Sequence, residues 1–193
     1  DWVYAVNGHA TGANKERVIG LWPVRAKPRS REWVRKNVLA GRAEDANLMI
    51  RSRKNDRPEI YLDYKVQDAK VRFLKHMPPA VNAYGYSVMK DNQMTFVVEQ
   101  GEIQPKQGGV IDASGTSFTV QDTRIKEGPG LVRLKAKGTI TAVLSVLGNA
   151  PLEILKKTKL PADVSDGIVQ TEGEIGFTIR PKLTPEEVFY DVT

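Results

Sequence analysis

From about residue 42 onward the chain alternates apolar and polar residues with a period of two, and this constrains its fold more than any other feature. In EIYLDYKVQ, Ile60, Leu62, Tyr64 and Val66 fall on one side while Tyr61, Asp63, Lys65 and Gln67 fall on the other. QMTFVVE aligns Met94, Phe96 and Val98, and the Asp91-Asn92 pair before it marks a hairpin with SVMK. TSFTVQD aligns Phe118 and Val120, and LVRLKAKG sets Val132, Leu134 and Ala136 against Arg133, Lys135 and Lys137. VQTEGEIGFTI places Val169, Thr171, Gly173, Ile175, Phe177 and Ile179 together, and VFYDV aligns Val188, Tyr190 and Val192. These patterns predict about nine to eleven strands, each with one apolar and one wet face. That is antiparallel architecture, because buried parallel strands read as continuous apolar runs.

Two segments depart from the alternation. Ser30 as N-cap and Gly41 as C′ residue, with Pro28 just upstream, predict a short helix. In TITAVLSVLGN, Ile140, Val143, Leu144 and Leu147 recur at helical spacing, with Gly148 as a stop. PLEILKK predicts a further helical turn begun by Pro151. Residues 1–19 read as the end of a strand region and a loop, and residues 184–193 as a strand leading onward. The expected fold is mainly β: one module over 1–193, built as a long curled, trough-like antiparallel sheet with two short helices. Two such helices cannot cover so many half-apolar strands. The remaining apolar face must pack on another sheet, curl upon itself or line a cavity.

The inventory of reactive groups is thin. Cysteine is absent, so disulfides and thiol chemistry are excluded. His9 and His76 lie in unrelated contexts without His, Asp or Glu at metal-ligand spacing. No GxSxG, phosphate loop or zincin motif occurs. The GxxG of GEIGF sits inside a strand pattern, where glycine marks a bulge or a close backbone approach. Glu172 and Glu174 share a strand face and read as ordinary solvent-facing carboxylates. The expectation is a non-enzyme with no cofactor and no metal. No run approaches the ~18 apolar residues of a membrane-spanning helix. The chain opens without Met on DWVYAV, which reads as mid-strand, so a piece of a longer protein is expected.

Charge is uneven. Residues 1–57 hold 13 Lys/Arg against 6 Asp/Glu, although the whole chain carries only +6. Such a surplus points to an acidic partner or a solvated basic face. Around the helix at 31–40, Trp33, Val34 and Val38 cover one side, while Arg35, Lys36 and Leu39 continue round the other. The basic residues do not gather on one face as a nucleic-acid helix requires, and no nucleic-acid partner is expected. The helix reads first as a cap on the sheet, with Arg29, Arg31, Arg35 and Lys36 as candidates for contact with anionic headgroups.

LWP at 21–23 followed by SREWVRKNVLAGR at 30–42 resembles the start of an AsmA-like repeat domain of the YhdP kind, related to TamB. AVNAYGYSVMKDNQMTFVVEQGEI, VRLKAKGTITAVLSVLGNAPLEIL and SDGIVQTEGEIGFTIRPKL are similar to later elements of that repeat, in the same order. The likeness covers residues 20–183, and it departs at the closing Pro-Leu, which here reads Pro181-Lys182-Leu183. The resemblance implies a segment of a bridge-like, mostly periplasmic protein anchored in the inner membrane by a helix outside this stretch. It further implies phospholipid acyl chains and sister repeats of the same chain as partners, with lipid moving along an apolar trough towards the outer membrane. The candidate lining is Ile60, Leu62, Tyr64, Val66, Phe73, Met94, Phe96, Val98, Phe118, Val120, Val132, Leu134, Ile175, Phe177 and Ile179. The alternative is an envelope β-scaffold without lipid, pairing through its sheet edges.

Overall fold

The computed structural model describes residues 2–149, 167–180 and 188–192. They form strands β1 (Trp2–Ala10), β2 (Ala13–Asn14), β3 (Val38–Arg53), β4 (Glu59–Val71), β5 (Ala80–Lys90), β6 (Gln93–Ile103), β7 (Ile111–Asp112), β8 (Ser117–Val120), β9 (Pro129–Thr139), β10 (Ile168–Thr178) and β11 (Val188–Val192). Helices are α1 (Lys15–Leu21), α2 (Pro28–Asn37) and α3 (Ile140–Leu147). All eleven strands join one antiparallel sheet in the order β1-β3-β4-β5-β6-β7-β9-β10-β11. β2 extends the β1 side against β3, while β7 and β8 share the slot between β6 and β9. The mainly β, single-sheet architecture expected from the alternation is what the chain adopts.

Local chemistry explains the long strands. Asp91 and Asn92 both take positive φ (51° and 63°), so a two-residue turn joins β5 to β6 with Lys90 facing Gln93. Asp45, Asp68 and Asn82 also take positive φ, near 50°, and each falls at a register shift in β3, β4 or β5. Short Asp and Asn side chains tolerate this backbone state, and each bulge bends its strand and adds twist.

The helices correct the reading in three places. α1 occupies 15–21, where a loop was expected: Asn14 caps it by accepting from the Arg17 N–H at 3.0 Å. α2 spans Pro28–Asn37 rather than starting from a Ser30 cap; its N-cap is Lys27, with φ 47° and no side-chain cap bond. Gly41 is not a helix stop but lies inside β3, where its φ of 127° lets the backbone press against Ala69, a Cβ there meeting Ala69 Cα at 3.0 Å. α3 keeps the expected limits, capped by Thr139 and followed by Gly148. Gly176 of the GEIGF stretch marks neither a bulge nor a close approach: β10 keeps an unbroken register and nothing lies within 4 Å of a Cβ placed there. The turn expected from Pro151 and the Pro181-Lys182-Leu183 boundary lie outside the described residues.

Among the described residues, the buried apolar side chains are Ala69, Met77, Ile111, Ala113 and Ala142. Ala142 belongs to α3, whose start lies against Gly108 so closely that a Cβ there would meet the Ala142 nitrogen at 2.2 Å. Among the described residues no second sheet covers the first. None of the described helices is long and apolar enough to cross a membrane.

Candidate functional site

Cross-strand register decides which side chains share a face, because directly paired residues point the same way. One row runs Phe177, Gly130, Val120, Met94, Met89, Leu62, Leu48 and Gly8, crossing β10, β9, β8, β6, β5, β4, β3 and β1 without a break. A second runs Ile175, Val132, Phe118, Phe96, Ser87 and Tyr64. A third links Val98, Gly85, Val66 and Ala43. Val6 pairs Ile50, which pairs Ile60, on the same side. Leu134 lies two residues from Val132 and joins this side as well. The strand candidates named from the sequence therefore gather on one continuous apolar face.

Two candidates lie off the strands. Phe73 follows the end of β4 and sits half-exposed in a loop, outside the rows. Ile179 stands one residue beyond β10 and covers Gly130, where a Cβ would meet its Cγ1 at 2.9 Å. Leu48, Ile50 and Met89 belong to the face but were missed; their signal was the alternation in ANLMI and SVMK, which carries little weight without the partner strand.

The opposite face is polar and locally paired. Arg133 faces Glu174 in register and binds it at 2.9 Å; Lys135 likewise faces Glu172 at 3.3 Å. Lys65 reaches Asp45 at 2.8 Å, and the Thr95 and Thr119 hydroxyls meet at 3.1 Å. His9 Nδ1 lies 3.0 Å from Asn47 Oδ1, and Asn47 in turn donates to Asp63 at 3.0 Å. The Tyr84 hydroxyl donates to Asp68, and that bond, followed by the carboxylate's charge, pushes the tyrosine above its usual range. Among the described residues, no group of three His, Cys, Asp or Glu could hold a metal ion.

Aromatic rings stack across the apolar face. Ring centroids of Phe118 and Phe177 lie 5.9 Å apart although β9 separates their strands, which puts the backbones about 9.6 Å apart at the usual strand spacing. The rings lean together over Gly130, whose missing side chain leaves the space. Phe96 continues the stack at 6.0 Å. Ser87 is completely buried between its row neighbours Phe96 and Tyr64, donating to the Thr95 carbonyl at 3.0 Å. Burial pushes the Tyr64 hydroxyl up, with a Ser87 hydrogen bond opposing the rise.

A helical strap reaches from β2 and β3 to the loop between β8 and β9. α1 and α2 form a hairpin rooted on β2 and β3, its helices tied by Arg31, which donates to the Ile19 and Trp22 carbonyls at 3.1 and 3.3 Å. At its tip Lys27 Nζ donates to the Thr123 carbonyl at 2.5 Å, and Arg29 meets Glu127 at 3.5 Å. That β8–β9 loop is itself held to the β5–β6 turn, Thr123 N–H donating to the Asn92 carbonyl at 2.7 Å. On a flat sheet, Val38 and Asn92 would be separated by three strand spacings and eleven residues of strand, a diagonal of about 39 Å. The chain from Val38 back to Lys27, wound as helix, spans about 17 Å, and a lysine adds about 6 Å. The sheet must bend to close that gap.

The headgroup candidates are thus drawn into the strap's own structure. Arg35 and Lys36 share Glu32 at 2.7 and 2.9 Å, and their hydrogen bonds hold that carboxyl down at about 2. Arg31 and Arg29 are occupied as above. No protein-family model, curated protein or solved structure matches the chain.

Proposed function

We propose that the chain is a non-enzymatic β-rich module of the AsmA-like, YhdP type, and that its apolar face shelters phospholipid acyl chains passing between the two membranes of a bacterial envelope. The observation carrying this reading is the apolar row that crosses eight strands on one face of the sheet, which no second sheet covers among the described residues. Moving an acyl chain of about sixteen methylenes into water costs roughly 13 kcal/mol, at ~0.8 kcal/mol per CH₂. A continuous lining of Leu, Ile, Met, Val and Phe replaces that contact at each point along the rows. The chain can then slide at nearly constant free energy while its headgroup stays wet. This transfer breaks no bond, so it calls for no nucleophile or cofactor. Periplasmic placement, sister repeats continuing the sheet and an anchor elsewhere in a longer protein belong to the same proposal.

The test is extraction of the purified chain and mass spectrometry of what it carries. Co-purified phospholipid, reduced when Phe96 and Phe177 are both replaced by Gln, is the expected result. A lipid-free chain that also takes up none from vesicles would end the conduit reading. One observation favours the second reading, an envelope scaffold: β1 is an outer edge of the sheet, with Val3 62% exposed on it.

A further inference from the structure

The strap carries a surface that the groove does not use. Residues 15–37 hold eight Lys/Arg against two Glu, a surplus of six that equals the net charge of the whole chain. The same hairpin exposes two large aliphatic side chains, Leu21 at 76% and Val24 at 71%. Leu21 ends α1 and Val24 stands in the turn before α2, so both project at the tip. Arg17 precedes Leu21 by four residues and shares its helical face, while Arg25 adjoins Val24. Among the described residues neither guanidinium has an ion-pair partner, in contrast with Arg29, Arg35 and Lys36.

We propose that this tip docks on the surface of an anionic bilayer, with Leu21 and Val24 entering the headgroup layer and Arg17 and Arg25 lying against lipid phosphates. Concentrated positive charge beside exposed aliphatic side chains is the combination that such a surface rewards. Nucleic acid fits it less well, since its phosphates would engage the arginines and leave Leu21 and Val24 in water. The inference adds a membrane contact beside the conduit and does not depend on what the groove carries. It also moves the headgroup contact away from the four basic residues that hold the strap together.

Flotation of the full chain with phosphatidylcholine vesicles, made with and without phosphatidylglycerol, tests it. Binding to the anionic vesicles alone is expected. A Leu21→Glu/Val24→Glu variant and an Arg17→Gln/Arg25→Gln variant should each weaken it about tenfold or more. Both should melt like the parent chain by circular dichroism, because all four side chains are exposed. Equal binding to neutral vesicles, no binding at all, or full binding by the Leu21→Glu/Val24→Glu variant would overturn the proposal. So would binding of a DNA oligonucleotide as tight as that of anionic vesicles and equally sensitive to the arginine change. Groove cargo is read separately on vesicle-free protein, so failure of one reading leaves the other standing.

Discussion

The two faces of this sheet are built from the same strands yet held by different forces. On the polar face each partner is found directly across one strand gap, as with Arg133 and Glu174 or Thr95 and Thr119. These contacts are exposed and separable, so each contributes little alone. On the apolar face, contact extends over several strands: Phe96, Phe118 and Phe177 form one stack, and Gly130 is the gap that lets it form. The lesson is that a glycine on the apolar face lets rings from strands two apart meet, while the polar face is held by separate pairs between neighbouring strands.

The largest test of that contrast lies at two glycines. A Cβ at Gly85 would stand 2.0 Å from the Val97 carbonyl oxygen, so Gly85→Val must part β5 from β6. It should destabilise by about 3 kcal/mol or more in urea unfolding. Gly176→Ala meets open space and should change stability by less than about 1 kcal/mol. Equal effects at the two sites would show that the backbone approach at Gly85 is not limiting.

Next in size, Phe118→Ala removes the middle of the aromatic stack. Because the ring is half-buried, the expected loss is about 2 kcal/mol, below that of a fully enclosed phenylalanine. Its neighbour Thr119, on the polar face, should cost under about 1 kcal/mol as Thr119→Ala. Similar losses would erase the distinction between the faces. At the sheet's lower end, Thr139 caps α3 by accepting from the Ala142 N–H at 3.0 Å and donates to the Gly108 carbonyl at 2.6 Å. Thr139→Ala should cost about 1 kcal/mol, and Thr139→Ser should restore most of it.

The smallest effect is the pH response of the strap. Hydrogen bonds from Arg35 and then Lys36 hold Glu32 at about 2, below its unfolded value. A depressed carboxylate stabilises fully above the ordinary glutamate range, and the contribution fades as pH falls from that range through about 2. Carboxyl NMR titration should therefore place the Glu32 midpoint near 2. A midpoint in the ordinary range would mean the pairing is absent in solution.

Much of the fold was legible because alternation is a local signal. Ile60 to Val66, Met94 to Val98 and Ile175 to Phe177 showed which residues share a face before any partner strand was known. β5 was harder: in NAYGYSVMK the bulkier residues Tyr84 and Tyr86 face solvent, while Gly85 and Ser87 form the groove floor. Size and polarity misdirect there, since Gly85 leaves no room for a side chain beside the Val97 carbonyl and Ser87 is fully buried. α1 was missed because its signal is a single Asn cap before a seven-residue helix. The reach of the strap to the β8–β9 loop links residues 98 positions apart, a relation that no local pattern carries.

The central claim is that one face of the sheet is open to hydrocarbon and the other is not. Phe96 and Val97 are adjacent in β6 and point to opposite faces, so a photo-reactive residue placed at each, in the presence of phospholipid vesicles, compares the faces with almost nothing else changed. Phospholipid adducts at 96 and few or none at 97 are expected. Equal adducts at both positions, or none at 96 in a chain that still folds, would contradict the account.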